Sequence, residues 1–207
     1  MLTAHEVAKW FIYNNPELAS GFIDENTKVN KLLYFSNLMY RCVEKDRLIS
    51  DDFVAFPNGP VVFSVYRDYR YHGLSALPSQ SPVIEGVQRK ILEIINFVYG
   101  NYTTQELVDE SHTHAQWRNV KHLIPNNPTI NFENIDQDLI SYYKLLFSTY
   151  SELDFGKISK EKICGNVYYY YKDSFEMTDE IIEKLSTFDR FDEPKFLEIV
   201  DGELVIS

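Results

Sequence analysis

The side chains best suited to chemistry lie in Ser111-His112-Thr113-His114-Ala115-Gln116-Trp117. Alternate histidines can share a zinc ion, but a zinc site takes three or four ligands. No Cys-x-x-Cys or His-Glu-x-x-His supplies the remainder, so no metal and no cofactor is expected. Nucleophilic catalysis needs a Ser, Cys or Thr beside a base that a third group orients. Gly-x-Ser-x-Gly is absent, and neither Cys42 nor Cys164 sits in a catalytic sequence context, so no catalytic residue is assigned and a non-enzyme is expected. Asn58-Gly59-Pro60 could present a helix N-terminus to an anion. Pro60 removes one donor there, and a tight turn accounts for both Gly59 and Pro60 without a ligand.

What remains is chemistry of contact. Asn30, Tyr34, Asn37 and Arg41 form a polar strip along one helical stretch, either solvated or a contact groove. Arg67 and Arg70, three apart on an outward helix side, could fork onto a partner's carboxylates or simply sit in water. Tyr168 to Tyr171 alternate faces when extended, and tyrosine offers a large contact area with a polar tip. Asn30, Tyr34, Asn37, Arg41, Asn58, Arg67, Arg70, Tyr168 and Tyr170 are therefore the candidate partner-binding residues, with a covered sheet face as the competing reading of the tyrosines.

The elements that must position them are mostly helical. Thr3-x-x-Glu6 has the form of a capping box and starts a short helix through Val7, Trp10 and Phe11. Thr27 is expected to cap a helix running to Lys45, apolar around more than half its circumference through Val29, Leu32, Leu33, Phe35, Leu38, Met39 and Cys42. Phe53 to Phe56 can be a short extended segment; Pro57 to Pro60 reverses the chain, and Val61, Val62, Val65, Tyr66 and Tyr69 are expected to open a second amphipathic helix, with Pro60 in its first turn. Further helices are expected from about Glu85 to Tyr99, from a second capping box at Thr103-x-x-Glu106, from Ser111 to Val120 with Trp117 inward, and from about Asp136 to Tyr150.

After Asp154-Phe155-Gly156 the chain changes character. Val167 to Tyr171 is rich in strand-forming residues, and Thr178 can cap a short helix through Ile181, Ile182 and Leu185. Phe196 to Ile206 reads as a hairpin turned by Asp201-Gly202. The fold class expected is mainly α: a helical domain over residues 1–154 with one short β segment, and a small α+β extension over 155–207 that can pair with the Phe53–Phe56 segment.

Lys31-Leu32-Leu33-Tyr34-Phe35, Phe53-x-Ala55-Phe56-Pro57-Asn58-Gly59-Pro60-Val61-Val62, Val65-Tyr66 and His72-Gly73, in that order and spacing, resemble the Panacea domain of SocA-like and GepA-like phage-associated proteins. The resemblance covers roughly residues 1 to 150, and the segment from Ser111 to Trp117 is similar to a later family segment. It implies an antitoxin of a toxin–antitoxin system that neutralises a cognate toxin by direct protein–protein binding. It also admits a proteolytic adaptor that presents the toxin to a protease, and a phage-encoded modulator of a host protein is a further alternative.

Composition agrees with a binding protein. In 207 residues, 31 acids face 20 bases, for a formal charge of −11. That balance works against the counterion release that drives nucleic-acid binding, and against attraction to anionic membranes. Complementary fields would favour a basic toxin. No stretch approaches the roughly 20 apolar residues of a bilayer span, and from Met1-Leu2-Thr3-Ala4-His5-Glu6, with no basic lead or long apolar run, a leader is not expected. With two widely separated cysteines, a reduced, cytoplasmic protein is expected. A homo-oligomer is compatible with all of this.

Overall fold

Every residue from Val29 to Met39 is buried, and this run forms the axis of the first of two units, Met1–Ser151 and Glu152–Ser207. The computed structural model describes residues 1–207. The axial helix α2 (Ile23–Glu44) contacts α1 (Ala4–Asn14), α3 (Phe63–Tyr71), α4 (Gly86–Tyr99), α5 (Thr104–Thr113) and α7 (Gln137–Tyr150). Along Val29–Met39 the helix has no solvated face, so even its polar positions there need internal partners. Full burial of side chains such as Leu32, Leu33, Phe35 and Leu38 stabilises the unit by about 1.5–3 kcal/mol each.

Both capping boxes form. Thr3 and Glu6 start α1, and Thr103 and Glu106 start α5. Thr27 does not cap α2. The helix begins four residues earlier, after Phe22, and the Thr27 hydroxyl donates to the Ile23 carbonyl at 3.0 Å. Lys45 ends it in the left-handed conformation, φ 60°.

Val61 and Val62 are not helical. β1 (Phe53–Phe56) and β2 (Gly59–Val62) form an antiparallel hairpin, with Phe56 opposite Gly59 and Pro57-Asn58 as the turn. Pro60 thus occupies a strand, and α3 starts at Phe63. The other edge of β1 is taken by residues 128–130: the Ala55 N–H donates to the Pro128 carbonyl and the Ile130 N–H to the Phe53 carbonyl. Both edges are satisfied within this unit, so the expected pairing with the carboxy-terminal extension is replaced by these bonds. The stretch expected as one helix from Ser111 to Val120 is divided: α5 ends at Thr113, and His114 in extended conformation caps the short α6 (Ala115–Arg118).

The second unit is a four-stranded sheet in the order β3 (Ile158–Ile163), β4 (Asn166–Tyr171), β5 (Lys195–Val200), β6 (Glu203–Ile206). β4 and β5 run parallel, joined by a crossover containing α8 (Asp179–Leu185), whose Thr178 cap accepts from the Ile181 N–H. Asp201 and Gly202, at φ 52° and 81°, make the turn between β5 and β6. Cys164 and Gly165, at φ 47° and 92°, turn β3 into β4 in the same way. Tyr168 and Tyr170, expected on a contact face, are buried. They point into the core with Ile163, Phe175, Leu185 and Leu197, and Tyr169 on the opposite face is buried as well. No helix is long and apolar enough to cross a membrane.

Candidate partner-binding site

The resemblance motifs converge on the inner side of the β1–β2 hairpin. Lys31 is fully buried, and its Nζ donates to the Pro60 carbonyl at 2.9 Å. Burial alone pushes the amine down to about 7. Gly59 lies against it at φ +95°; a Cβ there would fall 2.5 Å from Ser111 Oγ and 2.8 Å from Lys31 Cε. Glycine is thus required twice over, by backbone conformation and by space. Ser111, buried on α5, donates to the Val108 carbonyl at 2.8 Å.

Three of the expected contact residues belong to this interior. Asn30 Oδ1 accepts the Val62 N–H at 2.9 Å, fixing β2 to α2. Asn37 Oδ1 accepts the N–H groups of Leu48 and Ile49 at 3.2 and 3.3 Å, satisfying the chain as it leaves α2. Tyr34 is fully buried, its hydroxyl 3.1 Å from His114 Nδ1 and held protonated well above the ordinary range by burial. Asn30, Tyr34 and Asn37 are therefore corrected from a contact strip to internal fasteners, because the backbone and imidazole groups they satisfy would otherwise be orphaned.

The two histidines of the Ser111–Trp117 segment separate. His112 stacks on Trp117, ring centroids 3.7 Å apart and planes 14° from parallel, while the Trp117 indole N–H donates to the Phe56 carbonyl at 3.0 Å. Burial, and then the nearby Lys31 charge, push the His112 imidazole down. His114 turns the other way, toward Tyr34 and, through Nε2 at 3.4 Å, Glu110. No group of three or more His, Cys, Asp or Glu side chains is arranged to hold a metal ion.

The hairpin turn, Pro57-Asn58, is exposed. Asn58 stands at its tip. Behind it, Phe56 meets Tyr66 at 5.3 Å and Phe63 at 6.3 Å, and half of Phe63 is open to solvent. Arg70 lies over the Tyr71 ring at 5.2 Å, with Nη1 3.4 Å from the Tyr66 hydroxyl. Arg67 Nε donates to Asp68 at 3.0 Å; Asp68 also meets His72 Nδ1 at 2.8 Å and His5 Nε2 at 2.9 Å. Those contacts, Arg67 first, hold the Asp68 carboxyl well below its ordinary value. Asn58, Arg67 and Arg70 thus share one outward region with Phe56, Phe63 and Tyr66, which the sequence reading did not select. The signal was available: positions 63, 66, 67 and 70 have the i, i+3, i+4, i+7 spacing of one helix face.

Arg41 lies apart from that face. Its guanidinium sits 5.1 Å over the Phe132 ring, in a cleft of about 600 Å³ shared with Lys45, Glu133 and Lys144. A second cleft of about 580 Å³ opens between α5 and the start of α7, beside His114. These surfaces offer aromatic faces and guanidinium groups, side chains enriched at protein interfaces, together with carboxylates, which are depleted there.

Searches of curated proteins and of solved structures give no match. A family model does match: residues 29–118, which take in the axial helix from Val29 on, the hairpin, the α3 face and the Ser111–Trp117 segment, are similar to the antitoxin SocA-like, Panacea domain.

Proposed function

We propose that this protein is an antitoxin that neutralises a cognate toxin by binding it directly, with no reaction of its own. The family match over residues 29–118 carries the reading. The exposed region formed by Asn58, Phe56, Phe63, Tyr66 and Arg70 is the contact surface within that domain, because aromatic and arginine side chains dominate the energy of protein interfaces. The protein's charge of −11 suits a basic toxin, since opposite fields speed encounter. Lys31 takes no chemical part: its amine is sealed from solvent and spent on the Pro60 carbonyl.

Co-expression with the product of the neighbouring gene tests this. The expected result is a neighbour that arrests growth alone, is harmless beside this protein, and co-purifies with it. A neighbour that is harmless alone and does not co-purify would refute the reading.

A further inference from the structure

The two edges of the carboxy-terminal sheet are built differently. β3, on one edge, carries Lys160, Glu161 and Lys162, and lysines along an edge strand guard it against pairing with another chain. β6, on the other, reads Glu203-Leu204-Val205-Ile206, with no lysine, arginine or proline. Phe196 and Ser207 exchange both backbone bonds. The antiparallel alternation therefore turns the N–H and C=O groups of Glu203, Val205 and Ser207 toward β5, and those of Leu204 and Ile206 outward. No strand or bridge of the chain takes that outward edge. β5 meets β4 only at Lys195 and Phe196, and beyond them the hairpin has no strand partner but itself. Its side chains Ile199, Val200 and Val205 are 46, 49 and 39% exposed. A two-stranded ribbon is marginal in water and gains from a further strand.

The order of side chains along β6 matches itself. With a two-fold centre at Val205, antiparallel pairing to a second β6 sets Val205 against Val205, Leu204 against Ile206, and Glu203 against Ser207. Leu204 and Ile206 are the residues whose backbone groups point outward, so in this register the outward donors meet outward acceptors. Both side chains already pack on the core around Leu185 and Leu197, and they would carry that apolar layer across the join. Glu203 meets a hydroxyl instead of another carboxylate, which matters in a chain of charge −11. A centre at Leu204 would set Ile206 against the Gly202 turn.

We propose that β6 is a dimerisation edge, pairing antiparallel with β6 of a second copy about a two-fold axis through Val205. The two sheets then become one, whose remaining edges are the lysine-bearing β3 strands. A foreign strand would place no such demand on the order of residues within β6, so the second copy is the occupant the sequence fits. The proposal is independent of the antitoxin reading.

Sedimentation velocity of the full-length protein, from micromolar to submillimolar concentration, should show a monomer–dimer equilibrium that tightens as salt screens the like charges. Val205→Lys sets two ammonium groups face to face and should weaken the dimer at least about tenfold. Cys164 is exposed, so crosslinking is tested in a Cys164→Ser background. There Val205→Cys should join two copies under mild oxidation, because a non-hydrogen-bonded antiparallel pair brings cysteines within disulfide reach, and Glu203→Cys should not. A protein monomeric throughout, a dimer indifferent to Val205→Lys, or Glu203→Cys crosslinking as fast as Val205→Cys would overturn the proposal. Amide exchange at Leu204 and Ile206 identifies the occupant. Slowing as concentration rises supports the second copy; slowing only when the proposed toxin is added assigns the edge to a partner strand and overturns it.

Discussion

The two sides of the β1–β2 hairpin use similar residue types to opposite ends. On the inner side, Lys31, Asn30 and Ser111 are polar yet buried, each with a partner at 2.8–3.0 Å. On the outer side, Phe63 is apolar yet half exposed, and Arg70 is engaged only by neighbouring tyrosines. Polarity alone therefore misplaces both sets. The inner polar groups are inside because a helix packed on all sides must satisfy backbone groups delivered to it by a hairpin and a loop. The outer aromatics pack mainly on one another, with Phe63 half open to solvent, which is why the proposed contact surface is placed there. The difference separates what holds the domain from what the domain offers.

Breaking the inner side should be costly. Gly59→Ala places a methyl 2.5 Å from Ser111 Oγ at a φ of +95° and should destabilise the protein by about 3 kcal/mol, read as a lower urea midpoint with unchanged slope. Asn37→Ala strips the acceptor from the Leu48 and Ile49 N–H groups and should cost about 2 kcal/mol by the same measurement.

Lys31 sharpens the comparison through pH. Its amine titrates at about 7 in the folded protein and at 10.5 when unfolded. Between those values the unfolded chain holds a proton that the folded one does not, so this residue's contribution to stability rises with pH, at a limiting slope of about 1.4 kcal/mol per unit. Below the folded value the burial penalty is fully present. Stability of wild type measured against Lys31→Met should therefore climb from pH 7 toward 10; a flat difference would show that the amine stays charged inside. On the outer side, Phe63→Ala and Arg70→Ala should change stability by no more than about 0.5 kcal/mol, while each weakens toxin capture about tenfold or more in a pull-down titration.

Local signals in the sequence read well. The capping boxes at Thr3 and Thr103, the Thr178 cap and the Asp201-Gly202 turn each concern residues within a few positions, and each forms. Readings that needed distant partners went astray. Nothing near Asn30 announces that Val62 will deliver an N–H to it, nor does Asn37 advertise Leu48 and Ile49. Thr27 has the character of a cap, but Phe22 precedes the helix and Thr27 bonds back to Ile23 instead. Val61 and Val62 follow a proline that suits a helix start, yet pairing with Val54 and Phe53 draws them into a strand. β3 carries no local strand signature; Ile158-Ser-Lys-Glu-Lys-Ile163 is extended because β4 lies beside it and Cys164-Gly165 accepts the turn. The cleft beside His114 is likewise assembled from two stretches far apart in sequence, residues 110–114 and 136–142.

Amide hydrogen exchange of this protein, alone and bound to the proposed toxin, tests the division between the two sides most directly. The account predicts new protection at the Pro57-Asn58 turn and along α3 from Phe63 to Tyr71, with the already closed centre of α2 unchanged. Protection confined to residues 152–207, with the hairpin tip and α3 exchanging as before, would contradict it.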